Sequence, residues 1–92
     1  MNKQELVASV AIKADMTKKD SEKAVVAVFD VITEALANGE KVSLVNFGTF
    51  ETRDREARIG RNPSTQEPIS IPAKRVPAFK SGKGLKAIVK GL

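Results

Sequence analysis

Apolar residues first recur at helical spacing, then alternate at strand spacing, then nearly vanish, and finally return in a short stripe. Leu6, Val7, Val10, Ala11 and Ala14 predict a first helix that ends near Asp15, with Asn2 as its N-cap and Glu5 in capping-box position. Thr17 predicts the cap of a second helix, with Asp20 in its first turn. Val25, Val28, Phe29, Ile32, Ala35 and Leu36 give that helix a broad apolar face, and Asn38-Gly39 stops it. From Lys41 to Val45 the period changes to two, Asn46-Phe47-Gly48 supplies a turn, and Thr49-Phe50 opens a second strand.

Beyond Phe50 the alternation loses its apolar half. Glu51 to Ala57 suits an extended strand that has no face to bury, Gly60 to Glu67 forms a tip, and Ile69, Ile71 and Ala73 mark one face of a return limb. Pro72 and Pro77 are expected to break the ladder, and Val76 to Lys80 re-enters the core through Phe79. Ser81 is expected to cap a last helix striped by Leu85, Ile88 and Val89. The pattern reads as one α+β domain spanning residues 1–92: an N-terminal helical hairpin, a three-stranded antiparallel sheet with a long protruding β-ribbon arm at about 53–75, and a short C-terminal helix.

Composition narrows what such a domain can do. There is no Cys and no His, which removes thiolate metal sites, disulfides and the commonest general base. No pair among the remaining Asp, Glu, Lys, Arg and Ser residues forms a recognisable catalytic motif, so neither an enzyme nor a metal or cofactor site is expected. No apolar run approaches the roughly 20 residues of a membrane span, and Met1 leads into a capping sequence, so a soluble intracellular protein is expected. Charge is divided along the chain: residues 1–50 hold six Lys against seven Asp plus Glu, and residues 51–92 hold ten Lys plus Arg against four. A near-neutral scaffold thus carries a basic surface.

All five arginines lie between Arg53 and Arg75, a segment with no aromatic residue. A guanidinium is planar, permanently charged and weakly hydrated, and it suits a narrow electronegative minor groove; lysines meet phosphates from outside. A helix-turn-helix reader is the less favoured alternative, because the second helix presents apolar residues where a recognition helix exposes polar ones. A further alternative is an arm that adds a strand to a protein partner's sheet. Pro63 can be read either as a plain turn residue or as an apolar wedge between base pairs. A 92-residue chain with so long a polar arm has little core of its own, and an obligate dimer that pools two half-cores resolves the shortage.

Val45-Asn46-Phe47-Gly48-Thr49-Phe50, Arg55, Arg58, Gly60-Arg61-Asn62-Pro63-Ser64-Thr65 and Val76-Pro77-Ala78-Phe79-Lys80-Ser81-Gly82-Lys83 are together similar to the bacterial histone-like HU proteins and their integration-host-factor relatives. The resemblance runs essentially end to end. It implies an intertwined homodimer of the nucleoid, in the bacterial cytoplasm, whose two arms enter the minor groove of double-stranded DNA and kink it with little sequence preference. DNA already bent, nicked or flexible is the expected preferred partner, RNA is an open second one, and no membrane is expected. By matching position, Pro63 would intercalate; Arg55, Arg58 and Arg61 would line the groove, with Asn62 a further DNA-binding residue; Arg53, Lys74 and Arg75 would hold the arm's base. Lys3, Lys80, Lys83 and Lys86 would meet phosphates from the body, and Phe29, Phe47, Phe50 and Phe79 would form the dimer core. Four positions depart from the family pattern: Asn46 stands where glycine is usual, Ile59 where a charge is usual, Pro68 removes a ladder donor, and Gly84 replaces a better helix former at an expected cost of up to about 1 kcal/mol.

Overall fold

The structure is a computed structural model and describes residues 1–91. The backbone divides into two compact units, Met1–Glu34 and the remainder from Ala35 onward.

The first unit is a helical hairpin of α1 (Lys3–Lys13) and most of α2 (Lys18–Ala37). Both predicted N-caps form: the Glu5 amide donates to Asn2 Oδ1 at 2.9 Å, and the Asp20 amide to Thr17 Oγ1 at 3.1 Å. α1 stops where Asp15 turns to φ 54, a left-handed position that short polar side chains tolerate, and the Met16 amide reaches back to the Ala11 carbonyl at 2.8 Å. Val7 and Ala11 of α1 are buried, as is Val25 of α2. Between the helices, fully buried Ser21 donates its hydroxyl to the Val7 carbonyl at 2.7 Å, so its polar atom enters the core satisfied.

The second unit begins with the last turn of α2. It continues through β1 (Val42–Leu44), β2 (Gly48–Arg55), β3 (Arg58–Arg61), β4 (Pro68–Ile71), β5 (Lys74–Ser81) and α3 (Lys83–Val89). β1, β2 and β5 form an antiparallel sheet in that order, and β3 and β4 form a two-stranded ribbon. The Leu44 to Gly48 turn requires Asn46 at φ 65, as its replacement of a usual glycine implies. Gly48 has no room for a side chain, since a Cβ there would lie 2.5 Å from Phe79 Cζ.

Two sequence expectations are corrected here. Pro77 does not break the ladder: it pairs with Thr52 inside β5, an edge strand, where a missing N–H is tolerated. Ser81 does not cap α3; it is the last residue of β5, opposite Gly48, and the N-cap is Gly82, which offers no side-chain bond. The Gly82 amide instead donates to the Phe47 carbonyl at 2.8 Å, and Leu85's to Asn46's at 3.0 Å, so the hairpin turn organises the start of α3.

Sheet and ribbon share one register. If the pairing of Arg55 with Lys74 ran on, Arg58 would face Ile71, and that is the pair that opens β3–β4. Only Glu56-Ala57 and Pro72-Ala73 stand unpaired between them. Pro72, unlike Pro77, lies in this gap, where it has no N–H to offer.

Candidate nucleic-acid interface

The tip is a closed turn rather than a loose loop. The Asn62 amide donates to the Glu67 carbonyl at 2.8 Å and the Gln66 amide returns to the Asn62 carbonyl at 2.7 Å. The Asn62 side chain accepts from the Ser64 amide at 2.9 Å, and the Thr65 hydroxyl accepts from the Glu67 amide at 3.3 Å. Arg61 Nη1 donates to the Gln66 carbonyl at 3.1 Å, bracing the turn from its flank. Pro63 is exposed within this frame. Asn62 and Arg61 therefore hold the turn that carries the proline.

Below the tip, Arg58 pairs across the ribbon with Ile71 and Gly60 with Ile69. A Cβ on Gly60 would come within 2.8 Å of Ile71 Cδ1, so the isoleucine folds over the glycine and gives the arm a small apolar contact. On the root side of the gap, Arg55 lies directly opposite Lys74. Two like charges facing one another across a ladder are unfavourable in the free protein. With Arg58 they line a groove of about 480 Å³ at the gap, together with Glu56, Ile71 and Pro72. A concavity framed by three cations and one carboxylate is suited to an anionic group.

The remaining candidates occupy separate places. Arg53 pairs with Val76 on exposed backbone. Lys80 lies near the end of β5, while Lys83 and Lys86 are exposed on α3. Arg75, expected at the arm's base, donates from Nη2 to the Ala37 carbonyl at 3.1 Å. In the helical unit, Lys3 lines a groove with Lys18 and Lys19, which were not among the sequence candidates. Their place directly after the Thr17 cap is the signal that could have found them: one turn of α2 brings both to the rim beside α1.

In the sheet unit Phe79 touches both other rings, at centroid distances of 5.6 Å to Phe47 and 4.8 Å to Phe50. Phe47 remains 48% exposed and Phe79 41%. Phe29, in the helical unit, is 49% exposed. No apolar side chain of the sheet unit is fully buried among the described residues.

Comparison with known proteins agrees with this arrangement. Residues 1–90 match the family model described as "Bacterial DNA-binding protein". The DNA-binding protein HU of Lactococcus lactis subsp. lactis is 65% identical over 89 residues, covering 97% of this chain and 98% of the relative. DNA-binding protein HU 1 of Bacillus subtilis is 57% identical over 91 residues, covering 99% of each. Among solved structures, an Anabaena HU–DNA cocrystal structure superposes with a TM-score of 0.92 at 51% identity over 100% of both chains. HU from Thermotoga maritima gives 0.68 at 39% identity, covering 97% of this chain and 98% of the other. The resemblance read from the motifs around Phe47, Pro63 and Phe79 is borne out. These relatives carry the names of DNA-binding proteins rather than enzymes.

Proposed function

The chain belongs to the bacterial DNA-binding protein family, and from that premise we propose that it is a histone-like architectural protein of the nucleoid: a homodimer that bends double-stranded DNA through the minor groove. The observation that carries this reading is the arm itself. Arg55 and Lys74 face each other across the ladder with Arg58 beyond the gap, and the ribbon ends in a braced turn with Pro63 exposed. Three cations held together against the single carboxylate of Glu56 store a repulsion that a phosphodiester backbone relieves.

The mechanism follows from the residue types. Arg55, Arg58 and Arg61 enter the narrow groove, where a weakly hydrated guanidinium loses less on desolvation than an ammonium does. Asn62 and Arg61 fix the tip turn, so that Pro63 meets a base step as a rigid apolar wedge with no donor to satisfy. Unstacking that step costs a few kcal/mol, offset by the contacts a bent duplex makes with the body. Lys80, Lys83, Lys86 and the Lys3–Lys18–Lys19 groove supply those contacts. Because the minor groove distinguishes mainly A·T from G·C, sequence preference is weak and deformability governs choice of site.

The half-exposed phenylalanines support the dimer. Two copies that pool Phe47, Phe50 and Phe79, with Phe29 from the helices, would bury what one chain leaves open. The test is electrophoretic titration on intact and nicked duplexes over a range of salt. A steep salt dependence and tighter binding to nicked duplex are expected; affinity indifferent to salt would instead favour a protein-partner arm.

A further inference from the structure

The structure assigns Arg75 a task other than holding DNA: it is a positioning residue that ties the root of the arm to the C-terminal end of α2. This inference rests on the architectural reading above and changes the role of one of its cations.

The end of α2 can be accounted for bond by bond. The Glu40 amide donates to the Ala35 carbonyl at 2.8 Å and the Gly39 amide to the Leu36 carbonyl at 3.0 Å, with Gly39 at φ 79, which is the pattern of a glycine-terminated helix. The Asn38 amide also turns back to Ala35, at 3.1 Å. None of these bonds uses the Ala37 carbonyl. That oxygen accepts from Arg75 Nη2 at 3.1 Å, across 38 residues of sequence, and Nη1 lies over Gly39, 3.8 Å from where a Cβ would stand.

The electrostatics point the same way. α1 has Lys13 and α3 has Lys86 in the last turn, but α2, the longest helix, has no basic residue there. Arg75 supplies from a neighbouring strand the cation that the negative end of the helix dipole favours. Its cross-strand neighbour is Asp54, an opposite charge, whereas one pair further out Arg55 faces Lys74. The ladder therefore changes character between these two pairs. At Asp54 and Arg75 the facing charges are opposite, and at Arg55 and Lys74 they are alike.

A guanidinium that donates to the Ala37 carbonyl is tethered to the helix end, with one of its five N–H donors already engaged. What it can do is hold the root of β5 against the body when the tip is loaded by a stiff duplex. Arg75→Ala should therefore leave the slope of log affinity against log salt unchanged, whereas loss of a phosphate contact would flatten it by about 0.9. Amide exchange at Gly39 and Glu40 should quicken by roughly fivefold, the response to loss of about 1 kcal/mol of local stability. The bend of intact duplex at saturating protein, well below the unfolding temperature, should fall, while a nicked duplex is bent as by the parent protein. Arg75→Lys, which can still reach a carbonyl with a cation, should recover much of the bend.

A flattened salt slope in Arg75→Ala would overturn the inference in favour of a direct phosphate contact. An unchanged exchange rate and bend would overturn it too. Parent protein measured alongside separates this from failure of the architectural reading: if the parent neither bends DNA nor responds to salt, that reading falls, while exchange at Gly39 and Glu40 still decides the tie.

Discussion

Gln66 occupies the tip turn at φ 64, a left-handed conformation that costs a residue bearing a Cβ about 1–2 kcal/mol. The turn accepts that cost because the Gln66 amide and carbonyl both serve it, one bonded to Asn62 and the other to Arg61. Gln66→Gly should remove the strain and slow amide exchange at Asn62 and Gln66 by about fivefold or more; equal or faster exchange would mean that the turn does not persist in solution. Gly84 is a second case in which neighbours decide. Helix propensity alone marks it as a weakness, yet a Cβ there would stand 2.9 Å from the Asn46 carbonyl oxygen and 3.0 Å from Asn46 Cβ. Overpacking of this kind costs about 1–3 kcal/mol, more than the roughly 1 kcal/mol of propensity that alanine gains. Urea unfolding should find Gly84→Ala destabilising in the parent and milder beside Asn46→Gly; additive effects would show that the two positions are uncoupled.

Elements were legible wherever their determinants lie within a few residues. Asn2 with Glu5 and Thr17 with Asp20 are local signals, and both caps form as read. Ser81 and Pro77 were misread because their fates are set across the sheet, by Gly48 and Thr52. Arg75 was assigned to the arm's base from its position alone, and nothing local announces a partner as distant as Ala37. The gap in the ribbon lies between these cases: Pro72 was read as a breaker, but the register that continues past it could not be seen in sequence. Pro72→Val restores an N–H and a strand-forming side chain, and should slow exchange at Glu56 and Ala57; unaltered rates would show that the pairing lapses for another reason. For α3, Lys83→Ala and Lys86→Ala should each reduce the salt slope by about 0.9 and weaken binding evenly across sequences. A slope unchanged in both variants would remove that helix from the contact surface.

At the scale of the whole molecule, the proposed dimer would cover a sheet whose aromatic cluster stays half exposed. An obligate dimer unfolds with a midpoint that rises with protein concentration, and Phe79→Ala, which removes the ring that touches both Phe47 and Phe50, should cost about 3–5 kcal/mol and lower that midpoint at every concentration. A concentration-independent midpoint would instead describe a stable monomer. The central claim, that this protein bends DNA by wedging a base step, converges on Pro63, which lies in an exposed turn. Pro63→Ala should therefore leave stability within about 0.5 kcal/mol of the parent, while Arg58 and Arg61 retain their attraction for the backbone. The most direct measurement is fluorescence transfer between the ends of a short duplex at saturating protein, intact and nicked, for parent and Pro63→Ala. The account predicts that the variant loses much of the bend on intact duplex and least on the nicked one, whose unstacking cost is already met. Intact DNA bent by Pro63→Ala as far as by the parent would contradict the wedge and leave Pro63 a turn residue alone.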